Sequence, residues 1–92
     1  MSELADTCKP RLAPKTRLKW DGTREKHLLL IPEGMLVLNR TAQEVLELCD
    51  GARTVAEIVQ TLRARYSTDA IGEDVKEILQ RLWQKTFVII DD

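Results

Sequence analysis

Ninety-two residues, 43% of them apolar and 32% charged, make about one small domain and leave no room for a catalytic unit beside a regulatory one. Fourteen basic and fifteen acidic residues leave a net charge of −1, which excludes a global field for holding nucleic acid or anionic lipid. No apolar run exceeds four residues, as at Leu28 to Ile31, so neither a signal peptide nor a membrane span is expected and the cytoplasm is the expected location.

Charge divides unevenly along the chain: residues 1–26 carry seven basic and four acidic groups, and the remainder seven basic against eleven acidic. Two uses follow: attraction between the two parts of the chain, or binding of an acidic partner by the first. From Met1 to Thr16 no periodicity is visible, and Pro10 and Pro14 remove backbone donors, which predicts a flexible arm over 1–16 and a folded domain over 17–92. Arg17-Leu18-Lys19-Trp20-Asp21 alternates polar and apolar as a half-buried strand does, and Asp21-Gly22 is a turn signal. Lys26 to Ile31 reads as a second strand. Pro32-Glu33-Gly34 interrupts it, and Met35-Leu36-Val37-Leu38 supplies a third, too brief for a helix.

Beyond this meander the apolar period changes from two to 3.6. Thr41-Ala42-Gln43-Glu44 matches a capping box, predicting a helix over about 41–49 that Asp50-Gly51 ends. Thr54-Val55-Ala56-Glu57 matches a second, opening a helix to about Arg65. Ser67-Thr68-Asp69 offers N-caps for a third helix, with Ile71, Val75, Ile78, Leu79, Leu82 and Trp83 at helical spacing. Val75, Ile78 and Leu82 lie close together around that helix, while Leu79 and Trp83 widen the stripe to one side. Phe87 to Ile90 reads as an extended tail. Threonine at position 86 is poorly suited to a left-handed helix end, so the third helix is expected to run on or end irregularly.

Three strands followed by three helices predict an α+β, winged-helix-like module. Little chemistry accompanies it. His27 is the only histidine and has no serine–aspartate arrangement near it, so it reads as a structural imidazole. Cys8, His27 and Cys49 supply neither the number nor the spacing of ligands that zinc needs, and their contexts make a disulfide framework unexpected. Glu44 and Glu57 are assigned to caps, and Glu73, Asp74 and Glu77 to the start of the third helix, where negative charge complements the dipole. No catalytic residue, metal or cofactor is expected. The alternative reading, a winged-helix DNA-binding protein, is disfavoured because Lys76, Arg81 and Lys85 share the third helix with Asp69, Glu73, Asp74 and Glu77. What remains is a peptide-binding groove, with Met35 to Leu38 as a sheet edge that accepts another strand and the third helix as its wall. Such an edge also predicts self-association at high concentration.

Two runs sharpen this reading: Pro32-Glu33-Gly34-Met35-Leu36-Val37-Leu38-Asn39-Arg40-Thr41-Ala42, and Leu48-Cys49-Asp50-Gly51-Ala52-Arg53-Thr54-Val55-Ala56-Glu57-Ile58-Val59. They closely resemble the pyrroloquinoline quinone (PQQ) biosynthesis protein D family, and Pro10-Arg11-Leu12 and Arg17 to Asp21 fit as well. The resemblance implies a cytoplasmic peptide chaperone, itself without catalysis, that binds the ribosomally made precursor peptide. It would present the peptide to a radical S-adenosylmethionine (SAM) enzyme, which cross-links a Glu and a Tyr. It further implies that the peptide adds beside the third strand, Met35, Leu36, Val37 and Leu38, and packs on the third helix at Val75, Ile78, Leu79, Leu82 and Trp83.

Overall fold

The structure, a computed structural model, describes residues 4–67 and 70–91. Five strands and three helices follow one another as β1 (Lys9–Leu12), β2 (Arg17–Asp21), β3 (Lys26–Ile31), β4 (Gly34–Leu38), α1 (Arg40–Glu47), α2 (Val55–Tyr66), α3 (Ala70–Gln84) and β5 (Val88–Asp91). The expected meander is present as an antiparallel sheet of order β2-β3-β4, and three helices follow it. The turn after β2 is longer than a bare Asp-Gly pair. Asp21 Oδ1 accepts from the amides of Thr23 (3.1 Å) and Arg24 (3.2 Å), and Glu25 takes a left-handed φ of 53°.

A second sheet, which periodicity does not reveal, pairs β1 with β5 at opposite ends of the chain. Residues 9–12 fall inside the segment read above as an arm before the fold begins at Arg17, and here they form a strand. Pro10 is fully buried, and its carbonyl accepts from the Gly51 amide at 3.0 Å. Just upstream, the carbonyls of Cys8 and Asp6 accept from the amides of Val55 (2.8 Å) and Ala56 (3.0 Å). These are amides of the first turn of α2, which have no acceptor within the helix. The Phe87 to Ile90 tail becomes β5, whose Val88 is wholly buried.

Two apolar clusters hold the layers together. One joins the helices, centred on Val45, Val55, Ile58, Leu62, Val75 and Leu79; the other, with Leu29, Leu46, Leu82 and Val88, lies beneath the meander. Ile78 packs against both.

Local chemistry decides the helix ends. Thr54 and Glu57 form the expected capping box: the Thr54 amide donates to Glu57 Oε1 (2.9 Å) and the Glu57 amide to Thr54 Oγ1 (3.1 Å). The matching expectation for Thr41 and Glu44 is corrected. Asn39 caps α1, its Oδ1 accepting from the Ala42 amide at 2.8 Å, and this starts the helix one residue earlier. Glu44 is thereby freed for the interior. Thr68 and Asp69, proposed caps of α3, lie outside the described residues, and Ser67 instead ends α2 in the left-handed region at φ 53°.

The end of α3 also differs from expectation. Thr86 adopts φ 62°, the Phe87 amide donates to the Leu82 carbonyl (3.0 Å) and the Thr86 amide to the Trp83 carbonyl (3.0 Å). That pair of bonds is a Schellman motif, and Phe87 packs into the cluster containing Leu82, the contact that usually accompanies it. Packing of Phe87 and pairing of β5 thus hold a β-branched residue in a conformation it disfavours. Thr86→Gly should therefore stabilise the protein by about 1 kcal/mol, visible as a higher melting temperature. An unchanged or lower melting temperature would show that Thr86 is not strained.

Candidate functional site

β4 is an edge strand, and its ladder to β3 determines which of its groups are open. Only Pro32 and Glu33 separate Ile31 from its partner Gly34, so that pair is hydrogen-bonded and the pattern alternates from there. Leu29↔Leu36 and His27↔Leu38 are then hydrogen-bonded pairs, whereas Leu30↔Met35 and Leu28↔Val37 are not. The amides and carbonyls of Met35 and Val37 consequently point away from β3, toward the open edge. Their side chains are open too, at 56% and 59% exposure. Leu36 and Leu38 face the other way, half-buried against the cluster beneath the sheet.

Beside the end of β4, a depression of about 190 Å³ separates Asn39 and Thr41 from Asp74, Glu77 and Ile78 of α3. Glu77 is paired with Arg81 (3.0 Å), while Asp74 has no ion pair among the described residues, so this end of the groove is negative.

The residues expected at the helix wall divide into three groups. Val75 and Leu79 are fully buried and Leu82 nearly so; they anchor α3 to the core. Ile78 is half-buried and lines the depression. Trp83, also half-buried, lies about 140° around the helix from Ile78. Its flank is shared with Lys76, which pairs with Asp6 at 3.1 Å, and Gln80, whose Oε1 accepts from the Leu4 amide at 3.0 Å. The structure therefore sets Ile78, Asp74 and Glu77 across from Asn39 and Thr41, just past the end of β4, and turns the Trp83 flank toward the N-terminal segment. Asp74 and Glu77 were legible only as dipole partners, because an i, i+3 pair of acids does not announce what it faces.

Other candidate chemistry is structural. Burial, and then the neighbouring Asp50 charge, push the Cys49 thiol up to about 12, too high for a thiolate nucleophile. The His27 ring stands 4.7 Å from that of Trp20. Glu44, only 8% exposed, accepts from Tyr66 Oη (3.0 Å), Arg40 Nε (3.0 Å) and Arg65 Nη1 (3.4 Å), joining α1 to the end of α2. Burial raises its pKa, but these hydrogen bonds outweigh it and hold the carboxyl below its ordinary 4.5. A depressed folded-state value contributes stability above the unfolded value, and that contribution disappears as pH falls through the folded value. Glu44→Gln should cost about 1–3 kcal/mol at neutral pH and flatten the acid limb below pH 4.5. Urea melts of both proteins at neutral and acidic pH check this, and an equal deficit at both would assign the loss to packing.

The chain is similar to known proteins in sequence and in fold. The family model for coenzyme PQQ synthesis protein D (PqqD) matches residues 26–88. A PqqA binding protein of Rhodopseudomonas palustris (strain ATCC BAA-98 / CGA009) is 44% identical over 92% of this chain and 85% of its own. Another, from Kluyvera intermedia, is 40% identical over 92% of this chain and 94% of its own. The solution NMR structure of the PqqD truncation of Methylobacterium extorquens PqqCD represents a functional, stand-alone recognition element for ribosomally synthesized and post-translationally modified peptides. It matches with a TM-score of 0.78 and 37% identity over 94% of each chain. Matched by the family model over residues 26–88 and by these relatives over nearly its whole length, the chain belongs to the PqqD family.

Proposed function

We propose that this protein is a cytoplasmic peptide chaperone of PQQ biosynthesis that binds the precursor peptide PqqA as an added strand on β4. It then presents the peptide to a radical SAM enzyme for Glu–Tyr cross-linking and catalyses nothing itself. The observation that carries the reading is the β4 edge, where the main-chain groups of Met35 and Val37 point away from β3, with a depression lined by Ile78 just past the end of the strand. Main-chain hydrogen bonds supply affinity, and alternate peptide side chains point toward Leu36, Leu38 and Ile78. Val75, Leu79 and Leu82 hold the wall in position from behind. The family relationship supports the peptide, since its relatives are PqqA binding proteins.

Calorimetric titration of PqqA into the purified chain, followed by reconstitution with the radical SAM enzyme, tests the proposal. Saturable binding is expected, and cross-linked peptide should accumulate only when the chain is present. Absence of peptide binding, or an equal cross-linking yield without the chain, would reject it.

A further inference from the structure

The outer face of the meander, opposite the core, has a composition that peptide binding at the edge does not explain. Its residues align across the strands in rows, Arg17–Leu30–Met35 and Lys19–Leu28–Val37, with the pair Asp21–Lys26 beyond them. Leu28 is buried at 3% exposure and Leu30 is half-buried, although neither joins a core cluster, while Met35 and Val37 are more than half exposed. Arg17, Lys19 and Lys26 are exposed and have no ion-pair partner among the described residues. The face thus exposes Met35 and Val37 beside a half-buried Leu30, with Arg17 and Lys19 along the β2 side and Lys26 set opposite Asp21 at one end, in a chain whose net charge is −1.

We infer that this face docks a folded protein through carboxylates set around an apolar patch, and that the protein is the enzyme that modifies the peptide. The identity of the enzyme rests on the proposed function; the surface rests on the rows just described. Cations beside apolar side chains fit carboxylates beside apolar side chains, and opposite charge steers encounter as well as register. A second copy of this chain is a poor occupant, because symmetric pairing would set Arg17 and Lys19 against the same cations. Nucleic acid is a poorer one, since phosphates would strip water from the Leu and Met surface without replacing it by apolar contact. Position adds a reason: a strand on β4 extends this same face, so a protein docked here would meet the outward side chains of the bound peptide.

The test is an Arg17→Glu/Lys19→Glu double variant, both positions being exposed and remote from the β4 edge, with binding to the purified radical SAM enzyme measured by calorimetry. The enzyme's affinity should fall at least about tenfold, and wild-type affinity should weaken as salt rises. Melting temperature and PqqA affinity should stay at wild-type values. Lys26→Glu alone should give a smaller loss in the same direction. Unchanged enzyme affinity in the folded double variant would overturn the assignment of the surface. A parallel loss of PqqA affinity would also overturn it, giving the face to the peptide, as would binding of a DNA duplex that the double variant abolishes. If the wild type binds PqqA but not the enzyme, the partner and this inference fall while peptide binding stands; if PqqA itself does not bind, the proposed function fails first.

Discussion

Val37→Pro should leave the protein folded and weaken PqqA binding by about ten- to a hundredfold. Val37 faces Leu28 in a non-hydrogen-bonded pair, so its amide serves the open edge and its loss removes no bond within the sheet. Proline is tolerated at such edge positions for this reason, and its effect on the preceding residue favours the extended backbone Leu36 already has. An incoming strand fares differently. It loses a main-chain donor worth about 1 kcal/mol and meets a pyrrolidine ring where its own backbone would approach. Each 1.4 kcal/mol is about tenfold in affinity, so a lost bond and a steric clash together reach the stated range. Leu36→Pro is the informative contrast. Leu36 lies in a hydrogen-bonded pair with Leu29, and that substitution should disrupt the sheet itself. Calorimetry with circular dichroism on both variants checks the pair. A folded Val37→Pro protein that binds PqqA normally would remove β4 as the site.

Removing residues 1–12 should cost roughly 5 kcal/mol, a large share of the stability of a domain of this size. Leu4, Cys8, Pro10 and Leu12 pack against the core or are buried in it, each contributing about 1–1.5 kcal/mol of apolar burial. Without them Val88 loses its cover, β5 loses its only partner strand among the described residues, and the amides of Gly51, Val55 and Ala56 lose their acceptors. Thermal denaturation should show a fall in melting temperature of tens of degrees or no cooperative transition. A truncated chain that melts like the intact one would return residues 1–16 to the status of an arm.

Much of this architecture is written locally. The change of apolar period after Leu38 separates meander from helices, and Thr54 with Glu57 marks the start of α2, because each signal depends on residues only a few positions apart. The pairing of β1 with β5 has no such signature: Lys9–Leu12 is short and contains a proline, and its partner lies at the other end of the chain. Glu44 shows a different limit. Its spacing from Thr41 repeats that of Glu57 from Thr54, yet Asn39 takes the cap and Tyr66, 22 residues on, draws the carboxylate inward. The helix wall of the groove divides in the same way. An apolar stripe identifies the core-facing side of α3, but which flank is left open near the end of β4 is decided by the N-terminal segment occupying the other. Leu79 and Trp83 extend the stripe in sequence, while Ile78, Asp74 and Glu77 line the depression in space.

The central claim is that the peptide occupies the β4 edge, and a backbone amide-shift titration of the ¹⁵N-labelled chain with PqqA addresses it most directly. The largest changes should fall on the amides of Met35 and Val37, with Ile78 following and the Arg17 and Lys19 amides and the Trp83 indole little affected. Saturable binding with shifts centred on α2 or on the β1–β5 sheet, and with Met35 and Val37 silent, would contradict it.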